Sequence, residues 1–176
     1  MALDDQSKPF GLKEVRITNS AGDSQAILDA SQTLSFAERI LSAELSGSDK
    51  LVAVASRSVG VEWSLEEGGI PLNAYAIMTG RTLVSSGTSP GIVYTLSGSG
   101  GDCLPYFKIY GRALGEGCTE DLHCKLGKCK ITGNIEGEFS EGEFFVTSCS
   151  GIAVNDSTGK AFEWVSHETG EDLPSS

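Results

Sequence analysis

The sequence predicts a mainly β protein: a β-sandwich or barrel with one short flanking α-helix. Three observations point there. Apolar residues recur at every second position through most of the chain, the period of a strand with one covered face. Glycine supplies 22 of 176 residues and, with serine, cuts the apolar runs into short pieces. Only one stretch carries both a helix start and a helix stop.

The elements follow in order. Leu12 to Thr18 alternates, with Val15 and Ile17 apolar between Glu14 and Arg16. Gln25 to Ala30 is weakly patterned and reads as a short strand or a loop. Thr33 to Leu45 is long and amphipathic, and its Glu38, Arg39 and Glu44 would also suit a helix. It meets Lys50 to Arg57 across Ser46-Gly47-Ser48-Asp49, a good turn, and that placement favours a long hairpin. In Val59 to Leu65, Val59, Val61, Trp63 and Leu65 face one way and Gly60, Glu62, Ser64 and Glu66 the other, before Gly68-Gly69 stops the run.

Pro71 to Thr79 is the helix. Proline sits early, where its missing N–H is harmless, and Gly80 sits at the C-cap. Its predicted apolar side is Leu72, Tyr75, Ala76 and Met78 or Thr79. Strands resume at Arg81 to Ser85, Ile92 to Leu96 and Tyr106 to Arg112. Leu122 to Phe139 reads as one long strand. Its faces are Cys129, Ile131, Gly133, Ile135, Gly137 and Phe139 against Lys128, Lys130, Thr132, Asn134, Glu136 and Glu138. Ser140-Glu141-Gly142 turns it into Glu143 to Val154, and Ala161 to Ser166 is the last strand. One domain spans 1–176, without internal repeat or linker.

The charge excludes one function class. Asp plus Glu total 24 against 13 Lys plus Arg, a net charge of −11, so the chain has no basic face to grip a phosphate backbone. No apolar run is long enough for a spanning helix. The first residues carry no export signal, so the expectation is a soluble protein made in the cytoplasm, whose five cysteines are reduced thiols.

Catalytic signals are scarce. The two histidines are His123 and His167, and His123 cannot pair with Cys124 because neighbours on a strand point to opposite faces. Cys118, His123, Cys124 and Cys129 lack the tight spacing of a zinc site and read as small buried hydrophobes. Gly98-Ser99-Gly100-Gly101 has no helix after it to hold a phosphate. Asn155-Asp156-Ser157 is a sequon that an unexported chain never exposes to glycosylation. Glu136, Glu138, Glu141 and Glu143, with Glu62, Glu66 and Glu67, read first as a solvated sheet face, and a glycosidase pair among them lacks an aromatic platform. The same acidic face could instead serve to repel phosphate. No cofactor or metal is expected, and no enzymatic activity.

The string VGVEWSLEEGGIPLNAYAIMTG at 59–80 resembles the tail tube proteins of long-tailed, siphovirus-type bacteriophages, with a strand, a Glu-Gly-Gly break and a short helix ending in Thr-Gly. PYFKIYGRALGEG and the later DLHCKLGKCKITGNIEGEFSEGEFFVTSCSGIAV resemble them too. Order and spacing over roughly residues 10 to 168 carry the resemblance. It implies a sandwich with one helix, six copies to a ring, a continuous inner β-barrel, and rings stacked into a non-contractile conduit for genome delivery. It implies a virion location after assembly in the host bacterial cytoplasm, with no membrane association. The implied partners are further copies of the chain, a tape measure protein, a tail terminator and baseplate or distal tail proteins, with DNA passing through without specific binding. The lumen-facing set is then Glu62, Ser64, Glu66, Thr132, Asn134, Glu136 and Glu138, with Lys128 and Lys130 departing from that acidic wall. The ring-stacking loop is Ser46, Gly47, Ser48, Asp49 and Lys50, and flexible arms lie at 1–10 and 169–176. A type VI secretion-like tube protein is the near alternative, and an Ig-like carbohydrate-binding or adhesin module the more distant one.

Overall fold

A computed structural model describes residues 8–117 and 120–174. The elements are β1 (Pro9–Asn19), β2 (Gln25–Leu28), β3 (Ser31–Gly47), β4 (Lys50–Glu67), α1 (Leu72–Thr79), β5 (Leu83–Ser86), β6 (Val93–Leu96), β7 (Phe107–Gly115), β8 (Asp121–Gly137), β9 (Thr147–Ala153) and β10 (Phe162–His167). All pairings are antiparallel. The main sheet runs β2-β1-β7-β8-β9-β4-β3, with β10 also on β8, while β5 and β6 form a separate hairpin.

This sheet folds over itself into a sandwich-like body, and β8 is the shared strand. Its first part, to Leu126, is flanked by β7 and β10, and its second part, from Cys129, runs beside β9. The two halves meet face to face. Trp63 of β4 packs edge-on against Phe107 of β7 at 5.7 Å, and Phe36 of β3 against Trp164 of β10 at 4.7 Å. Val15, Ile17, Phe107, Ile109 and Leu126 supply one side of the core, and Val61, Trp63, Leu65, Ile131, Cys149 and Ala153 the other. Each fully buried side chain of this size contributes about 1.5–3 kcal/mol of transfer free energy.

Helix α1 lies where the sequence places it, with Pro71 before it and Gly80 after it at φ 71°, donating its N–H to the Ala76 carbonyl at 2.8 Å. The predicted apolar side needs correction. Ala74, Met78 and Thr79 are the buried residues, Tyr75 and Ala76 are half-buried, and Leu72 is exposed, in a helix that packs against β1 and β2.

Four strand readings change. Lys50 to Arg57 and Val59 to Leu65 are one strand, β4, of 18 residues. Arg39 pairs Gly60 and Ile40 pairs Ser58, so Val59 is an extra residue bulged out of the ladder rather than a core neighbour of Val61. Strand β8 does not alternate from end to end. One register shift lies between Leu126 and Cys129, moving the core side from even to odd numbers, and a second leaves Thr132–Asn134 between Ile131 and Ile135. The strand ends at Gly137, and Phe139 stands in the following loop, stacked on Phe145 at 4.4 Å. Finally, β9 is only Thr147–Ala153, so residues 138–146 are loop rather than strand.

The expected flexible arms are also revised within the described residues. Residues 9–10 belong to β1, and Glu116 N–H donates to the Lys8 carbonyl at 3.0 Å. Leu173 near the other end is buried. The remainder of the N-terminal arm, 1–7, lies outside the described residues, as do 175–176.

Candidate functional site: an acidic sheet face and a projecting hairpin

Register places the predicted wall residues. Across β3, β4, β9 and β8 one row reads Ala37, Glu62, Ile152, Lys130. The next reads Ser35, Ser64, Ser150, with Gly133 of β8 pressed on the Ser150 hydroxyl. The third reads Thr33, Glu66, Ser148, Glu136. Residues opposite one another in antiparallel strands share a face. Glu62, Ser64, Glu66 and Glu136 are therefore on one outer face, as the sequence predicts.

Thr132 and Asn134 reach this face through the bulge rather than the ladder, and Asn134 Nδ2 donates to Glu136 Oε1 at 3.2 Å. Glu138 does not belong to the wall. The strand has ended, and its carboxylate accepts from Ser140 Oγ in the loop. Lys130, expected to depart from the wall, sits in the Glu62 row, two strands away.

Sequence reasoning missed Thr33, Ser35, Ser148 and Ser150. Their alternation against Leu34, Phe36 and Cys149 was the available signal. Ser35 and Ser64 share a hydroxyl–hydroxyl hydrogen bond of 2.7 Å over a cleft of about 510 Å³ whose lining includes Thr132 and Gly133. The surface is thus mostly hydroxyls and carboxylates, broken by Ala37 and Ile152 and by Lys130, whose ammonium lies with that of Lys128 over the Tyr106 ring at 5.0 and 4.7 Å. A nucleophile here has no imidazole to activate it, since His123 and His167 lie on β8 and β10 in the other half of the sandwich.

The second feature is the hairpin. Ser48 and Asp49 both have positive φ, 52° and 62°, the geometry of a two-residue type I′ turn that matches strand twist. The predicted loop Ser46, Gly47, Ser48, Asp49, Lys50 is therefore the tip, with Gly47 paired to Lys50. Every residue from 37 to 59 is exposed. Beyond the Val59 bulge the ribbon runs about 30 Å, given about 3.3 Å per residue. One face carries Leu41 with Arg57, Ala43 with Ala55, and Leu45 with Ala53; the other carries Ile40 with Ser58, Ser42 with Ser56, and Glu44 with Val54. Leu41, Leu45, Val54 and Ile40 are all more than half exposed. Strand β3 is also the last in the sheet order, so its outer backbone groups face away from the sheet.

The other candidates resolve into structure. Cys124, Cys129 and Cys149 are core residues, and burial pushes Cys124 and Cys149 up to about 11 and Cys129 higher still, so all three are protonated thiols at neutral pH. His123 lies on the outer face of β8 and Cys124 in the core, while Cys118 lies outside the described residues. Among the described residues no three His, Cys, Asp or Glu side chains converge as metal ligands. The Gly98–Gly101 loop is closed by Asp102, which accepts from Ser99 N–H at 2.9 Å and faces Arg81. Asp156 of the sequon caps its own turn, accepting from Thr158 N–H at 2.8 Å and from Lys160 N–H at 3.2 Å. No helix among the described residues is long and apolar enough to cross a membrane.

No protein-family model matches this chain, and no curated protein matches its sequence.

Proposed function

We propose that the chain is a tube-forming structural subunit, of the kind that resembles the tail tube proteins of long-tailed bacteriophages, and that it acts by polymerising with copies of itself rather than by catalysis. The projecting hairpin is the observation that carries this reading. An isolated two-stranded ribbon is marginal in water, and an exposed edge strand is a template for pairing. A ribbon about 30 Å long with leucines and valine bare on both faces gains most by lying against another subunit. The outer face of β3, β4, β9 and β8 supports the same reading. Short hydroxyls interleaved with Glu62, Glu66 and Glu136 offer a passing phosphate backbone repulsion instead of a binding site.

In this scheme rings, hexameric by resemblance, stack through the tip at Ser46–Lys50 and the acidic face lines the lumen. A tape measure protein, a tail terminator and baseplate or distal tail proteins are the chain's partners by resemblance. The virion is the place of action.

Negative-stain microscopy and sedimentation of concentrated protein test it. Rings or tubes are expected from the wild-type chain. The double variant Leu45→Lys, Val54→Lys, which charges both faces of the ribbon, should leave a folded monomer that cannot elongate. A wild-type chain that stays monomeric at millimolar concentration overturns the reading.

A further inference from the structure

We propose that a cavity beside Tyr106, flanked by two lysines, takes the acidic aromatic loop 138–145 of a second copy, with Phe144 in the cavity and Glu143 on Lys128 and Lys130. This rests on the reading that the chain assembles with itself, and it adds a second contact to that of the hairpin.

The cavity lies between helix α1 and the start of β7 and has a volume of about 560 Å³. Ala76, Ile77, Leu83 and Pro105 make its lining mainly apolar, and Tyr106 completes it. Tyr106 is 38% exposed and carries two cations. Lys128 Nζ stands 4.7 Å, and Lys130 Nζ 5.0 Å, from the centre of its ring. Each ammonium is drawn to the negative face of the ring, but the two repel one another. Among the described residues no carboxylate lies within ion-pair distance of either. An anion seated at Tyr106 would relieve that repulsion, so the place suits a negative group joined to an apolar one. Arg81, which also lines the cavity, is already engaged with Asp102 at 3.5 Å.

The chain itself presents such a pair. Residues 138–145 read Glu-Phe-Ser-Glu-Gly-Glu-Phe-Phe. Phe145 fits over Gly137, where an added Cβ would stand 2.6 Å from its ring, and Phe139 stacks on Phe145 at 4.4 Å. Phe144 is left pointing outward, 94% exposed, with the exposed Glu143 beside it. Two rings thus hold the loop in shape while it offers the third, which keeps the ordering cost of binding low.

The loop does not fill its own cavity. It begins past Gly137, roughly 20 Å along β8 from Lys130 at the usual rise of a strand. Loop and cavity are different patches, so the contact is heterologous and joins copies head to tail, into a ring or a filament. A phosphate backbone fits the lysines less well than this short segment does. Glu62 and Glu66 stand on the same outer face as Lys130, and the whole chain carries −11.

Sedimentation and negative-stain microscopy of the full chain test the contact through two charge reversals, Glu141→Lys with Glu143→Lys, and Lys128→Glu with Lys130→Glu. Each alone sets like charges face to face and should raise the concentration at which rings or tubes form about tenfold or more. An equimolar mixture should assemble near the wild-type concentration, since every loop then meets a cavity of opposite sign. Phe144→Ser, at a side chain that touches little of its own subunit, should weaken assembly to a similar extent with an unchanged urea midpoint. Variants that assemble as the wild type does, or a mixture no better than its components, overturn this contact and leave the assembly reading standing. A wild-type chain that stays monomeric removes that reading and the contact with it. Binding of labelled duplex DNA that the Lys128→Glu, Lys130→Glu chain loses, with assembly unaltered, would overturn the contact by assigning the lysines to nucleic acid.

Discussion

Strands β3 and β4 are one hairpin with two different lives. Near its base, Val61, Trp63 and Leu65 are buried against β7 and the rest of the core. Beyond Val59, Leu41, Leu45 and Val54 occupy the same kind of ladder and are exposed. Both parts alternate, both pair in register, and both carry β-branched and leucine side chains. The difference is only whether a second layer covers them. Backbone pairing alone thus holds the distal ribbon, which places it at the low end of local stability, whereas the base shares the stability of the whole body. Under the assembly proposal, this bare ribbon is the surface that meets another copy.

Substitutions can break that contrast, and the largest effects belong at the base. A Cβ at Gly151 would meet the Lys130 carbonyl and the Trp63 ring inside contact distance, so Gly151→Ala should displace β9 and prevent a cooperative native transition in urea. Leu65→Ala should lower unfolding free energy by about 2–5 kcal/mol in the same experiment.

Next comes Glu67, buried where the hairpin joins β2. Its carboxylate accepts from Ala30 N–H at 2.8 Å and from Ser31 Oγ at 2.6 Å. Glu67→Ala strands both donors and should cost about 1–3 kcal/mol. An unchanged denaturation midpoint would remove Glu67 as the anchor of the hairpin's base.

At the tip the sign reverses. Ser48→Asn with Asp49→Gly suits the positive φ values and should stabilise the ribbon by about 0.4–1 kcal/mol. Slower amide exchange confined to 40–58 would show it. The smallest effect is Leu45→Ala, expected within about 0.5 kcal/mol of wild type in monomer stability. Under the assembly proposal the same change weakens polymerisation, so a stability loss comparable with Leu65→Ala would show that the arm packs on its own body.

Much of this was legible in the strand period and the turn residues. Alternation placed Glu62, Ser64, Glu66 and Glu136 on one face, and Ser46–Lys50 lies at the hairpin tip. Glycine 80 stopped the helix where expected because its left-handed backbone needs no Cβ. What escaped were the interruptions. The extra residues at Val59, between Leu126 and Cys129, and at Thr132–Asn134 depend on which strand lies alongside, and a one-residue slip exchanges faces. Glu138 was lost from the wall for a different reason, since nothing in its own neighbourhood announces that pairing ends at Gly137. The burial of Leu173 was invisible too, because polar residues near a chain end read as loose.

By itself the sequence determined the β class, the acidic charge, the helix ending at Gly80 and the hairpin turn at Ser46–Lys50, all properties set by local period, turn chemistry and composition. Only the tertiary structure decided which apolar residues are covered, where the ladders slip, and that Arg16, Arg112, Asp121 and His123, drawn from three strands, converge under residues 171–174. Those outcomes are long-range: burial and charge pairing depend on strands far apart in the chain, and no local pattern encodes the neighbour.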